Sequence, residues 1–218
     1  YQINSAAWIL QDTAGAVGLF LGPNATNPVV DGGYTASAGT NTLKIVLDTT
    51  DTLWTVAYYV DDNLLNTAAF AANPTINYVA FGKANGGLTG QISNFSLSVA
   101  PIEPPTTSGT TVYVETFDNP SAALNGQTTT EGGGTWIADS GLDHNGVLPV
   151  QGKRLAYLPF TPATGTVYTL SMDVDITGPA DWIGFGFSEL ALGNSYFYQI
   201  GSYAWILNAT DGNVNTYL

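Results

Sequence analysis

The sequence predicts an all-β protein, folded as an antiparallel β-sandwich or jelly roll. Three observations carry this. Short runs rich in Val, Ile, Thr, Tyr, Phe and Trp lie between Gly, Asn, Asp and Pro turns along the whole chain. Several runs alternate apolar and polar residues, the period of a half-buried strand. No stretch has a helical period, and strands at this spacing suit a sandwich.

Residues 16–21 read as a strand ended by Gly22-Pro23. Across 42–48, Leu43, Ile45 and Leu47 share one face, and Thr42, Lys44, Val46 and Asp48 share the other. Residues 49–52 turn the chain, and 53–60 return as a hairpin partner. Asp61-Asp62-Asn63 turns it again. Residues 76–82 and 90–99 give two more strands, the latter with an irregular step between Ile92 and Phe95. The second half opens with a strand at 112–117. Thr135-Trp136-Ile137 follows a glycine run at 132–134, which reads as a turn or bulge. Strands are then predicted at 154–159, 167–176, 182–187, 196–200, 204–207 and 214–218.

Composition breaks once, at 101–111, a Pro/Thr/Ser-rich stretch expected to act as an extended linker. The ends of the sequence repeat each other. Tyr1, Ile3, Trp8 and Leu10 recur as Tyr198, Ile200, Trp205 and Leu207, and 12 of 21 positions agree at a constant offset of 197. The expected organisation is a window from a longer array. Residues 1–100 are the C-terminal half of one sandwich and 112–218 the N-terminal half of the next, two complementary halves in permuted order. The eight recurring residues named above are the expected assembly strands.

With 218 residues, 44% hydrophobic and 12% aromatic, the chain can build a sizeable core. Only 10% of residues are charged, against about 25% in an ordinary globular protein. Seventeen acids oppose Lys44, Lys83, Lys153 and Arg154, for a net charge of −13. That balance excludes nucleic acid as a partner, since phosphate binding needs clustered cations. It also disfavours anionic membranes. The absence of cysteine rules out disulfides and thiolate metal sites and is compatible with an extracellular home. No apolar run is long enough to span a bilayer as a helix.

Val114-Glu115-Thr116-Phe117-Asp118-Asn119-Pro120, Gly132-Gly133-Gly134-Thr135-Trp136, Leu158-Pro159-Phe160-Thr161-Pro162 and residues 168–175 resemble the earlier strands of bacterial laminin-G-like, concanavalin-A-like jelly-roll domains. Residues 43–49, Trp54-Thr55-Val56 and residues 92–97 resemble the later strands of the same pattern. The resemblance covers nearly the whole chain in permuted order. It implies a repeat domain of a large secreted or surface protein, in a superfamily that includes lectins, glucanases and structural modules. It also implies a loop site for structural Ca²⁺, with Asp118 and Asn119 as the expected ligands.

Glycosidase chemistry needs two carboxylates flanking the scissile bond. The glucanase acid motif expected on one strand of such a fold is missing, and Glu115-Thr116-Phe117-Asp118 has the wrong spacing. Asp173 and Asp175 share a strand face and form the best carboxylate pair, read as solvent-facing. His144, the only histidine, lies in a loop and is expected to be exposed. No G-x-S-x-G accompanies it for nucleophilic catalysis. Tyr58, Tyr59, Trp136 and Tyr203 are the candidate aromatics for stacking on sugar, whereas Trp54 and Trp182 read as core. The expected function is a non-enzymatic extracellular structural repeat that needs no cofactor. Its partners are copies of itself or adjacent repeats, assembled head to tail into a filament, sheath or stalk. The alternative is a lectin-like module that binds polysaccharide.

Overall fold

A computed structural model describes residues 7–11, 17–21, 28–31, 39–83, 87–100, 109–119, 123–149, 152–177, 182–189, 202–209 and 214–217. Among them are sixteen strands. The first half holds β1 (Ala7–Gln11), β2 (Val17–Leu21), β3 (Pro28–Asp31), β4 (Asn41–Asp48), β5 (Thr55–Val60), β6 (Asn63–Ala69), β7 (Tyr78–Lys83) and β8 (Thr89–Ala100). The second half holds β9 (Thr110–Glu115), β10 (Ile137–Ala138), β11 (Val147–Leu148), β12 (Arg154–Pro159), β13 (Val167–Thr177), β14 (Trp182–Ser188), β15 (Ser202–Ala209) and β16 (Val214–Tyr217).

The strands form two sheets that pack as a jelly-roll-like sandwich. One runs β1-β2-β16-β15-β14-β7-β12-β10, with β3 beside β2. The other runs β11-β8-β13-β4-β5-β6, with β9 beside β8. All pairings are antiparallel except β16 with β2, which meet in parallel at Tyr217↔Phe20. Each sheet takes strands from both halves of the sequence. β13 sits between β8 and β4, and β7 sits between β14 and β12.

The complementary halves are therefore present in permuted order, but they meet inside one chain. Of the stretch at 101–111, residues 101–108 lie outside the described residues. Thr110 and Thr111 belong to β9 and pair with Val99 and Ser98 of β8, so the stretch joins two adjacent strands. Both recurring hairpins, β1–β2 and β15–β16, enter the same sheet.

The alternation at β4 is realised: Leu43, Ile45 and Leu47 are fully buried while Thr42, Lys44, Val46 and Asp48 are half-buried. β5 and β6 are joined by a two-residue turn, with φ of 49° at Asp61 and 63° at Asp62. Positive φ at both positions is the type I′ geometry that matches the twist of a hairpin. The irregular step in β8 is a bulge. Asn94 takes φ of 51°, the pairing with β13 slips there, and Phe95 is returned to the core. Between the sheets, Phe81 of β7 and Phe95 of β8 both pack edge-on or tilted against Trp136, with centroids 5.6 and 5.2 Å away. Farther along, Phe160 packs on Tyr168 and Phe187.

Candidate functional site

The chain from β9 to β12 laces the two sheets together at one edge. It leaves the seven-stranded sheet at β9, pairs with the other sheet as β10, returns as β11 beside β8, and ends in β12. Short runs of pairing, Val114↔Glu131, Ala123↔Asp143 and Thr128↔Thr135, fold this segment on itself. Its glycines serve close approach. A Cβ at Gly132 would lie 1.8 Å from the Val112 carbonyl oxygen, and one at Gly134 would lie 2.5 Å from the Tyr113 ring. Tyr113 then reaches across to donate its hydroxyl to the Pro159 carbonyl at 2.6 Å, and partial burial raises its pKa.

At the centre of the segment is Glu115, the last residue of β9, with no exposed surface. Its Oε1 accepts from the Phe117 amide at 2.9 Å and the Thr130 hydroxyl at 3.1 Å. Its Oε2 accepts from the Trp136 indole at 3.0 Å and lies 2.9 Å from His144 Nε2. The direction of this last hydrogen bond follows the histidine tautomer. Four partners from four points of the segment thus converge on one buried group. Their bonds offset the cost of taking its polar atoms out of water. Phe117 is held at φ of 59°, a strained value for a bulky residue, and its ring packs against both Trp136 and His144.

His144 is 8% exposed, which corrects its reading as a solvent-facing loop histidine. A carboxylate that orients an imidazole is also half of a general-base device. Here the other ring nitrogen, Nδ1, is enclosed and has no hydrogen-bond partner among the described residues. In this geometry the cluster ties the loops at Phe117, Thr130, Trp136 and His144 to the end of β9.

The remaining candidates lie apart from this cluster. Trp136 and Tyr58 are each 1% exposed, so neither presents a ring face to a sugar, which corrects their expected exposure. The Tyr58 hydroxyl has no partner among the described residues, and burial pushes its pKa well above the ordinary 10.0. Tyr59 is half-buried, with the Lys44 ammonium 4.6 Å from its ring centroid. Lys44 also hydrogen-bonds Asp62 and so holds that carboxyl below the usual range. Tyr203 stands opposite Phe187 in the β14–β15 ladder, and its side chain lies outside the described residues. Trp8, Leu10, Trp205 and Leu207 fall in β1 and β15, whereas Tyr1, Ile3, Tyr198 and Ile200 lie outside the described residues.

Asp118 and Asn119 are exposed. The Asp118 carboxylate accepts from the Thr116 hydroxyl at 2.6 Å, and the Asn119 amide donates to the His144 carbonyl. No group of three or more His, Cys, Asp or Glu side chains is placed to hold a metal ion among the described residues. Asp175 is exposed and Asp173 half-buried; the Asp173 carboxylate accepts from Thr42 at 2.6 Å and Asn94 at 2.7 Å. Sequence reasoning missed Glu115 as a site residue. The signal was the coincidence of Glu115, the chain's single histidine and Trp136 in one loop-rich stretch.

A scan against protein-family models finds no match to the chain, and a search of curated proteins finds no relative.

Proposed function

We propose that this chain is a structural repeat unit of an extracellular or surface protein, laminin-G-like or concanavalin-A-like in kind. Such units run head to tail, within one polypeptide or between subunits, as a filament, sheath or stalk. The observation that carries the reading is the recurrence at an offset of 197, because a hairpin that returns after one sandwich of sequence is what a row of sandwiches requires. The Glu115 cluster fits it. Its hydrogen bonds hold the loops of the segment after β9 to that strand's end. On this reading the protein is not an enzyme and needs no cofactor.

The lectin-like alternative ranks second because two of its four aromatic candidates are core residues. Electron microscopy of the native material tests the ranking. Rows with one sandwich per period are expected. Isolated single sandwiches that bind a polysaccharide saturably would reverse the order.

A further inference from the structure

The two recurring hairpins share more than sequence. In β15–β16 the opposed residues are Trp205↔Tyr217, Ile206↔Thr216, Leu207↔Asn215 and Asn208↔Val214. In β1–β2 they are Trp8↔Phe20, Ile9↔Leu19, Leu10↔Gly18 and Gln11↔Val17. Each of the four β15–β16 pairs maps onto a β1–β2 pair at the same offset of 197; the counterpart of the fifth β1–β2 pair, Ala7↔Leu21, lies partly outside the described residues. A one-residue slip would turn every side chain to the opposite face, so a shared register means the two hairpins present equivalent positions to equivalent faces.

Their docking differs. β15 pairs with β14 along its length, from Trp182↔Ala209 to Ser188↔Ser202. β2 meets β16 at the single parallel pair Tyr217↔Phe20. One hairpin thus occupies a long antiparallel berth, and its counterpart stands beside it with the same register and almost no ladder to that neighbour.

We infer that the berth along β14 is exchangeable, and that the β1–β2 hairpin of a second copy of this chain can replace β15–β16 there. After exchange Leu10 stands opposite Gly184 and Trp8 opposite Gly186, as Leu207 and Trp205 do now. This inference rests on the repeat reading and names the contact that would join the units. Because the hairpins match, exchange is close to balanced in the native chain, so the first test vacates the berth and the second traps the exchanged state.

Ile206 lies in the interior of β15, opposite Phe185 on one side and Thr216 on the other. Proline there removes a ladder hydrogen bond within a central strand. The full chain carrying Ile206→Pro is expected to shift in light scattering from one chain to two or more, rising with concentration. The double variant Ile9→Pro/Ile206→Pro is expected to lose that shift. A folded monomer for the single variant, or equal association of both variants, overturns the inference.

A second measurement does not depend on how well the proline variants fold. The chain has no cysteine. Ser188 opposes Ser202, and the counterpart of Ser202 at the offset is Ser5. Opposed residues in an antiparallel ladder are close enough for a disulfide. Chains carrying Ser5→Cys and chains carrying Ser188→Cys are mixed, refolded together and oxidised. A mixed disulfide between the two kinds of chain is the expected main product; its absence, or homodimers alone, overturns the exchange. Native rows at one-sandwich spacing without a mixed disulfide would keep the repeat reading and remove only this contact.

Discussion

Glu115 is the residue at which a single substitution should cost most. Removing the group on which four hydrogen-bond partners converge leaves buried polar atoms unsatisfied, so Glu115→Ala is expected to lower unfolding free energy by about 3 kcal/mol in a denaturant titration. A loss below about 1 kcal/mol would mean that its four bonds are not the tie described here. Tyr58 should behave in the opposite sense. Its enclosed hydroxyl has no partner among the described residues, so Tyr58→Phe is expected to raise stability by about 1 kcal/mol. The same burial sets a pH dependence. The fold holds this tyrosine neutral with a raised pKa, so its contribution is intact below the ordinary 10.0 and drains away as pH climbs beyond it. Tyrosinate absorbance should therefore show one tyrosine that ionises only as near-ultraviolet circular dichroism is lost. A fast, reversible titration of all tyrosines in the folded state would contradict this. None of this residue-level detail was legible beforehand. His144 and Glu115 are 29 positions apart in segments with no period, and only the lacing of the loop between the sheets brings them together.

Among the elements, strands with strict alternation were the legible ones. β4 and β13 bury every second residue, and β12 spans the predicted 154–159. The bulge at Asn94 was visible as a break in that rhythm. β6 was missed because it lies at the end of its sheet and is mostly exposed, so Asn63–Ala69 has no apolar face to betray it. β10 and β11 are two residues each, too short for any pattern. The glycine run was read correctly as a turn, though not which glycine matters most. Gly132 has φ of 85° and no room for a Cβ, whereas Gly133 has φ of 70° with open space around it. Gly133→Ala should cost about 1–2 kcal/mol, from the left-handed backbone alone. Gly132→Ala should cost more, because the Val112 carbonyl must also move. Melting temperatures in the order wild type, Gly133→Ala, Gly132→Ala are expected; the reverse order for the two variants would put the strain elsewhere.

For the whole molecule, the sequence disclosed two complementary halves but not where they would meet. Alternation tells a strand which face to bury and says nothing about which segment will lie beside it, and the pairs that decide closure, such as Leu170↔Ile45 and Phe185↔Phe81, are far apart in sequence. That same closure has a consequence for the bond between the halves. β8 and β9 are held side by side by their ladder from Phe95↔Glu115 to Val99↔Thr110, and each half is wedged between strands of the other in both sheets. The peptide connection across 101–108 is thus redundant for cohesion. A protease that nicks the chain there should yield two fragments on a denaturing gel and a single particle of unchanged mass in native buffer, a molecule cut in two that does not come apart.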